Sequence, residues 1–464
     1  MTDYDLIAIG SGSAAFAAAI RATEHGARVA LVERGTVGGT CVNVGCIPSK
    51  HLLAASHAYH AAGRHPFTGV STSQGGVDLP ALVGAKSELV GELRSEKYVD
   101  LAADYGFDII QGEARFVRPD GVAIDGREVS AGHVLVATGA APWIPPIPGL
   151  GEGGYLTSTT AMELQELPFS LVVIGGNYIG LELGQVFANL GSRVKVVEAL
   201  DRIAPFEEPE ISEAMTGILR AEGIEVVTSA RVDRIESGSP KMVVALVDGA
   251  ERRFEADEIL VATGRRPMLG GLDLDRAGVE VDERGKLMLD EQLRTTNPRV
   301  FAAGDVTGAP QFVYVAAAQG TVAADNALTD AGLPMDYQAL PRVTFTTPSI
   351  AAVGLTDEEA QRAGYACECR VMGLEHVPRA RVNLDTQGLF KVVADRESGR
   401  VLGVHVLAEN AGDVILAGVY AVKFGLTVDD LANTWAPYLT MSEGLKLASQ
   451  AFTRELSRLS CCAA

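Results

Sequence analysis

Short apolar runs that end in glycine recur along this chain, and they predict its main elements. Asp5-Leu6-Ile7-Ala8-Ile9 shows no polar alternation, which predicts a parallel strand buried on both faces. Gly10-Ser11-Gly12-Ser13-Ala14-Ala15 follows. An alanine-rich stretch then predicts a helix to about Glu24, and Arg28 to Val32 a second strand ending at Glu33. The pattern returns farther on. Ser170–Ile174 predicts a strand, and Gly175-Gly176-Asn177-Tyr178-Ile179-Gly180 a turn, with Asn177 where a second glycine would be expected. After a further helix, Arg193–Val197 predicts a strand ending at Glu198. Gly10 and Glu33 lie 23 positions apart, and so do Gly175 and Glu198. Residues 133–139 and 258–264 form a matching pair of closing strands, each ending in Ala-Thr-Gly. A repeat of this kind predicts two copies of one supersecondary unit.

The unit has a physical meaning. Its glycines let backbone approach a pyrophosphate, the helix N-terminus stabilises the phosphate charge, and the terminal acid takes ribose hydroxyls. The fold class is therefore α/β, with two Rossmann-like dinucleotide-binding domains, one for each of two cofactors. Candidate cofactor residues are Gly10, Gly12, Ala15 and Glu33 in the first unit and Gly175, Gly176, Gly180 and Glu198 in the second. Thr138, Gly139 and Gly264 join them at the ends of the closing strands. The proline-rich stretch 142–148 and Gly264-Arg265-Arg266-Pro267 read as links between units. Residues 300–305 form another apolar strand that ends in an acid, Asp305. The expected bounds are 1–142 with 265–340 for the first domain and 143–264 for the second. Within the first, a helix is expected near 79–104. Short antiparallel strands are expected over 112–129, turning at Pro119-Asp120-Gly121 and Asp125-Gly126. From about Pro341 the pattern changes. Strands near 342–346, 389–394 and 401–407 precede helices near 410–424, 428–434 and 442–456, which predicts a separate α+β domain over 341–464.

Charge and composition narrow the function. A net charge of −20 over 464 residues lacks the basic footprint of a nucleic-acid binder and disfavours anionic membrane surfaces. No apolar run reaches the ~18 residues of a membrane span. Met1-Thr2-Asp3-Tyr4-Asp5 has no basic region of a secretory signal. The six cysteines fall as three local pairs, Cys41 with Cys46, Cys367 with Cys369, and Cys461 with Cys462. So few in so long a chain point to thiol chemistry in a reducing cytoplasm, not to a disulfide scaffold.

The first pair stands in Gly39-Thr40-Cys41-Val42-Asn43-Val44-Gly45-Cys46-Ile47-Pro48-Ser49-Lys50. Pro48 suits a first helical turn, and 49–62 reads as helix, so Cys46 sits at a helix N-terminus that favours a thiolate. The spacing allows Cys41 and Cys46 to close a small exchangeable disulfide. A buried pair or half of a metal site would have the same spacing.

This segment resembles the redox-active stretch of the flavoprotein disulfide reductases, the family of glutathione reductase, lipoamide dehydrogenase and mercuric reductase. The resemblance runs along nearly the whole chain. It implies FAD in the first domain, with Thr40 beside it and Asp305 on the ribityl chain, and NADPH in the second. It implies that Cys41 is the outer, exchanging thiol and Cys46 the inner one against the flavin. It places Lys50 near flavin N5 with Glu182 as its acidic partner, and Tyr178 over the flavin as a gate for the nicotinamide. It also implies a homodimer in which the last part of one chain enters the active site of the other. Glu198 bears on the nicotinamide independently, because an acid there accepts a ribose 2′-OH and repels a 2′-phosphate, which favours NADH. Arg202 lies four residues on.

One departure decides among family members. The usual His-Pro-Thr-x-Ser-Glu acid signature becomes Tyr438-Leu439-Thr440-Met441-Ser442-Glu443. A phenol with an ordinary pKa near ~10 is a poor proton shuttle at neutral pH. Adjacent Cys461-Cys462 would close only a strained ring, and two thiols there suit capture of a soft ion. Together with the opening at 10–19, these features resemble the mercuric reductase branch. That resemblance implies reduction of thiol-complexed Hg(II) to Hg(0), with Cys41, Cys46, Cys461 and Cys462 as metal ligands and Tyr438 assisting. It also implies a catalytic core without the extra N-terminal metal-binding domain that some members carry. The alternatives are a disulfide or lipoamide reductase and a flavoprotein that sequesters Hg(II) without turnover. Cys367-Glu368-Cys369 matches no motif of the family and reads as a bystander thiol pair at a strand, with adventitious metal binding as the alternative.

Overall fold

The structure is a computed structural model and describes residues 2–455. The first sheet is built on β1 (Tyr4–Ile9), whose Leu6, Ile7 and Ala8 are fully buried. β1 pairs in parallel with β2 (Val29–Glu33), and β2 in parallel with β3 (Asp108–Gln111). On its other side lies β6 (Arg127–Val136), in the register Leu6↔His133 and Ile9↔Val136. β6 serves two neighbours in turn. Its first half closes an antiparallel meander with β4 (Ala114–Arg118) and β5 (Gly121–Ile124), and its second half joins the parallel sheet. The strand Val300–Ala302 completes this sheet against β6, although about 160 residues separate the two. α1 (Ser13–Glu24) buries Ala14, Ala15, Ala18, Ala19 and Ala22, a small-residue face that lets the helix Val313–Thr329 lie close against it.

The second unit repeats the arrangement. Strands Glu225–Val227, Arg193–Val197, Ser170–Ile174 and Glu258–Val261 form a parallel sheet in that order. A three-stranded antiparallel meander, Ala230–Glu236, Lys241–Val247 and Ala250–Ala256, is added to it. The two links run side by side, because Ala140–Pro142 pairs antiparallel with Arg265–Pro267.

The C-terminal unit is a five-stranded antiparallel sheet under the helix Ala411–Phe424. Here the structure adds to the expectation. Ser349–Gly354 and Cys367–Gly373 are strands that the sequence pattern did not reveal. Two further differences lie in the first unit. The expected helix near 79–104 is interrupted by a π-helical turn at Ser95–Val99. Cys41 lies on a short helix of its own, α2 (Gly39–Val44), ahead of the helix expected after Pro48. Asn43 fastens that helix by donating from Nδ2 to the Val37 and Gly39 carbonyls, both at 2.9 Å.

Candidate active site

Cys46 is the first residue of α3 (Cys46–Gly63), and Gly45 before it supplies no side-chain cap. The opening N–H groups of α3 are therefore available to stabilise a negative sulfur. Cys41 and Cys46 are both free thiols, half-buried, and the Cys41 S–H donates to the Cys46 sulfur. That hydrogen bond, helped by the Lys50 cation, outweighs burial and brings Cys46 down to about 7. Cys41 moves the opposite way, pushed up by the same hydrogen bond and by burial. Near neutral pH Cys46 is therefore partly thiolate, while Cys41 keeps its proton.

Lys50 lies one helical turn beyond Cys46. Its Nζ donates to Glu182 Oε2 at 2.6 Å and lies 4.6 Å from the Phe345 ring centroid. Glu182 is 5% exposed, and its second oxygen accepts the Phe345 N–H at 2.9 Å. Tyr178 opens the helix Tyr178–Leu190, one turn before Glu182 and on the same face. Its ring stands 6.2 Å from that of Phe312. Burial, with the Glu207 charge adding, pushes its phenol up to about 12, so it is neutral at physiological pH.

The first phosphate turn packs against the start of α2, the helix that carries Cys41. Gly10 has φ +113°, and a Cβ there would come 2.4 Å from the Ala137 carbonyl oxygen. Gly39 has φ +65°, and its Cβ would fall 2.6 Å from the Gly12 Cα, so the start of α2 rests on the start of α1. Glu33 accepts from Ser11 Oγ at 2.6 Å and from the Gly35 N–H at 2.7 Å. This is a cradle that any side chain would fill, with an acid fixed at its rim, and it fits the pyrophosphate and ribose of FAD. Burial raises the Asp305 carboxyl. Arg265 spans the gap, with Nη2 3.4 Å from Thr40 Oγ1 and Nε 3.9 Å from Asp305 Oδ2. Gly10→Ala combines a disfavoured φ with a backbone clash. The variant is expected to purify with less than about a tenth of the native flavin, at least ~1.4 kcal/mol of lost binding. A native flavin-to-protein absorbance ratio would contradict this.

In the second unit Gly175 and Gly180 repeat the tight turn. Asn177 holds the middle position, and its buried Oδ1 lacks a hydrogen-bond partner, an acceptor left open at the turn. Glu198 accepts the Gly176 N–H at 2.6 Å and the Leu200 N–H at 2.8 Å. These features fit a second dinucleotide.

Not every expected residue joins this site. Tyr438 lies 54% exposed between the helices Val428–Asn433 and Glu443–Gln450, in the C-terminal unit. Cys461 and Cys462 lie outside the described residues. Arg265, Phe345 and Ser11 were not foreseen as site residues.

The pyridine nucleotide-disulphide oxidoreductase family matches residues 4–320, and its dimerisation domain matches residues 340–449. The chain belongs to the pyridine nucleotide-disulphide oxidoreductase family. Among its relatives, the mercuric reductase of Streptomyces lividans is 54% identical over 472 residues, covering 100% of this chain and 99% of that one. The mercuric reductase of Bacillus cereus is 53% identical over 462 residues, covering 99% of this chain and 73% of that one. Among solved structures, the HOCl-induced flavoprotein disulfide reductase RclA from Escherichia coli superposes with a TM-score of 0.87. It is 31% identical, over 97% of this chain and 100% of that one. As a member of this family the chain is an oxidoreductase that uses FAD and a pyridine nucleotide.

The dimerisation domain makes it a homodimer. Leu416, Tyr420 and Phe424 form an exposed apolar stripe at four-residue spacing on the helix Ala411–Phe424, suited to burial by a second copy. Among the described residues no helix is long and apolar enough to cross a membrane.

Proposed function

We propose that this flavoenzyme reduces Hg(II), taken up as a thiol complex, to Hg(0) at the expense of NAD(P)H. The observation that carries the reading is the pair of free thiols, Cys41 and Cys46, with Cys46 at the N-terminus of α3 and Lys50 one turn on, in a chain with Tyr438 in place of the family's histidine acid. The mercuric reductase relatives, matched along this whole chain, supply the metal. When bound, FAD supplies a two-electron carrier between the nicotinamide and the dithiol.

This chain's own residues do the rest. The Cys46 thiolate displaces one thiol ligand of the incoming ion. Cys41 gives its proton to a leaving thiolate and displaces the second ligand, so Hg(II) remains thiolate-bound throughout. Lys50, anchored on Glu182, balances the charge on Cys46. Gly10, Gly12, Ala15, Glu33, Thr40, Thr138, Gly139 and Asp305 would hold FAD. Tyr178, by resemblance to the family, would cover the flavin and move aside for the nicotinamide. Cys461 and Cys462 collect Hg(II) and pass it to Cys41 and Cys46 of the other protomer, with Tyr438 assisting at the transfer. The setting for this chemistry is the cytoplasm.

The nicotinamide reading turns on Glu198. The resemblance favours NADPH, whereas a carboxylate pinned by two backbone N–H groups at the end of its strand favours NADH. Arg202, four residues on, donates to the Pro205 carbonyl at 3.1 Å. Steady-state oxidation of both nicotinamides by the FAD-loaded dimer, with excess small thiol and with or without Hg(II), tests the whole reading. Sustained Hg(II)-dependent oxidation with release of mercury vapour is expected. NADH should exceed NADPH in kcat/KM by about tenfold, ~1.4 kcal/mol, and Glu198→Gln should narrow the ratio. Oxidation that stops after one equivalent would mark a sequestering protein, and turnover on glutathione disulfide or lipoamide a disulfide reductase.

A further inference from the structure

We infer that Cys367 and Cys369 form a second, non-catalytic site for a soft metal ion, on the edge strand of the C-terminal sheet. The argument starts from the strand. Cys367–Gly373 is the outermost of five strands, paired only to Leu389–Asp395. Residues two apart on a strand project to the same face. Both cysteines border the same small apolar cluster of Ala360, Val393 and Leu402, and both are free.

The two sulfurs also converge on one carboxylate. Cys367 Sγ lies 2.9 Å from Asp357 Oδ1, and Cys369 hydrogen-bonds to the same side chain. Asp357 is held by its own N–H donating to Glu208 Oε1 at 2.7 Å. It also lines a solvent-open cleft of about 530 Å³ shared with Arg202, Glu208 and Lys391. Burial and the Asp357 charge keep both thiols protonated, with Cys369 pushed up to about 12.

Two soft thiols on one strand suit Hg(II), which two thiolates satisfy, better than an ion that needs four ligands. Uptake is a ligand exchange without electron transfer. Two bonds from Hg(II) to small thiolates break, and two bonds to Cys367 and Cys369 form. Each cysteine proton passes to Asp357 and from there to a leaving thiolate, so two free thiols depart. Two thiols fixed on one strand outcompete separate monothiols because the second bond is intramolecular.

The choice of ion rests on the proposed mercury chemistry, and the test separates the two. A full-length FAD-loaded chain carrying Cys41→Ser, Cys46→Ser, Cys461→Ser and Cys462→Ser is loaded with HgCl2 and desalted in millimolar small thiol. Its flavin content reports the fold. It is expected to retain about one Hg(II) per protomer, and adding Cys367→Ser with Cys369→Ser should cut retention at least tenfold. No retained metal, or retention indifferent to the last two substitutions, overturns the site. In the otherwise native chain, Cys367→Ser with Cys369→Ser should leave Hg(II)-dependent oxidation unchanged while total binding falls by one equivalent. Failure of the native chain to turn over Hg(II) would strike the proposed function and leave this binding result standing.

Discussion

Cys46→Ala is expected to lower Hg(II)-dependent nicotinamide oxidation at least 100-fold, ~2.7 kcal/mol at 1.36 kcal/mol per decade, while reduction of the flavin by nicotinamide proceeds. A free thiol near ~8.5 is only a few per cent ionised at neutral pH. At about 7, Cys46 is roughly half thiolate, and the thiolate is the species that binds the metal. No other thiolate of this kind lies among the described residues, since Cys41, Cys367 and Cys369 are all shifted upward. Cys41→Ser separates the two roles of the pair. The serine hydroxyl still donates to Cys46, so alkylation of Cys46 should keep a midpoint near 7 while turnover is lost for want of a second sulfur. Cys41→Ala removes the donor as well, and the midpoint should rise. Rapid-reaction flavin spectra, an alkylation pH profile and mercury release read these outcomes. Turnover within tenfold of native in Cys46→Ala would remove the dithiol from the reaction.

Much of this site was legible because its parts are local. The turn from Gly10 to Glu33, its copy from Gly175 to Glu198, and the stretch from Cys41 to Lys50 each lie within one supersecondary unit, where spacing alone carries the geometry. The fold class was legible for the same reason. What escaped is non-local or lies in the backbone. Arg265 reaches Thr40 only because the strands Ala140–Pro142 and Arg265–Pro267 pair across the neck. In sequence it was simply part of a link. Its signal was its place directly after the second Ala-Thr-Gly. Phe345 meets Glu182 through its N–H, and a backbone donor leaves no mark in the sequence. The strand Ser349–Gly354, Ser-Ile-Ala-Ala-Val-Gly, is buried without alternation like the strand at 5–9, but the two alanines at its centre weaken its strand signal. The strand Cys367–Gly373 mixes charged and apolar residues as an edge does, and its pattern is equally faint. The helix that carries Cys41 was hidden by its bracketing glycines, although Asn43 bonds to two carbonyls and holds the turn closed.

Lys50→Met and Glu182→Gln should move the Cys46 thiol in opposite directions. Lys50 lowers it and Glu182 raises it, so Lys50→Met shifts the alkylation midpoint above about 7 and Glu182→Gln shifts it below. The stability effects do not share that symmetry. Glu182 is nearly inaccessible, while the Lys50 side chain is 34% exposed. Removing the lysine leaves a buried carboxylate with only the Phe345 N–H. Breaking a fully buried pair costs ~3–5 kcal/mol and an exposed one ~0–1 kcal/mol, so about 2 kcal/mol fits this half-buried case. Glu182→Gln strands a lysine that can turn toward solvent, and should cost less, about 1 kcal/mol. Chemical denaturation measures the losses, and alkylation over pH 5–9 measures the midpoints. At neutral pH, Lys50→Met then has fewer thiolates and slower metal capture, while Glu182→Gln keeps its thiolate. A pair that served only to tie α3 to the helix Tyr178–Leu190 would lower stability in both variants and leave both midpoints where they were. Opposed midpoints would place Lys50 and Glu182 in control of the reacting sulfur.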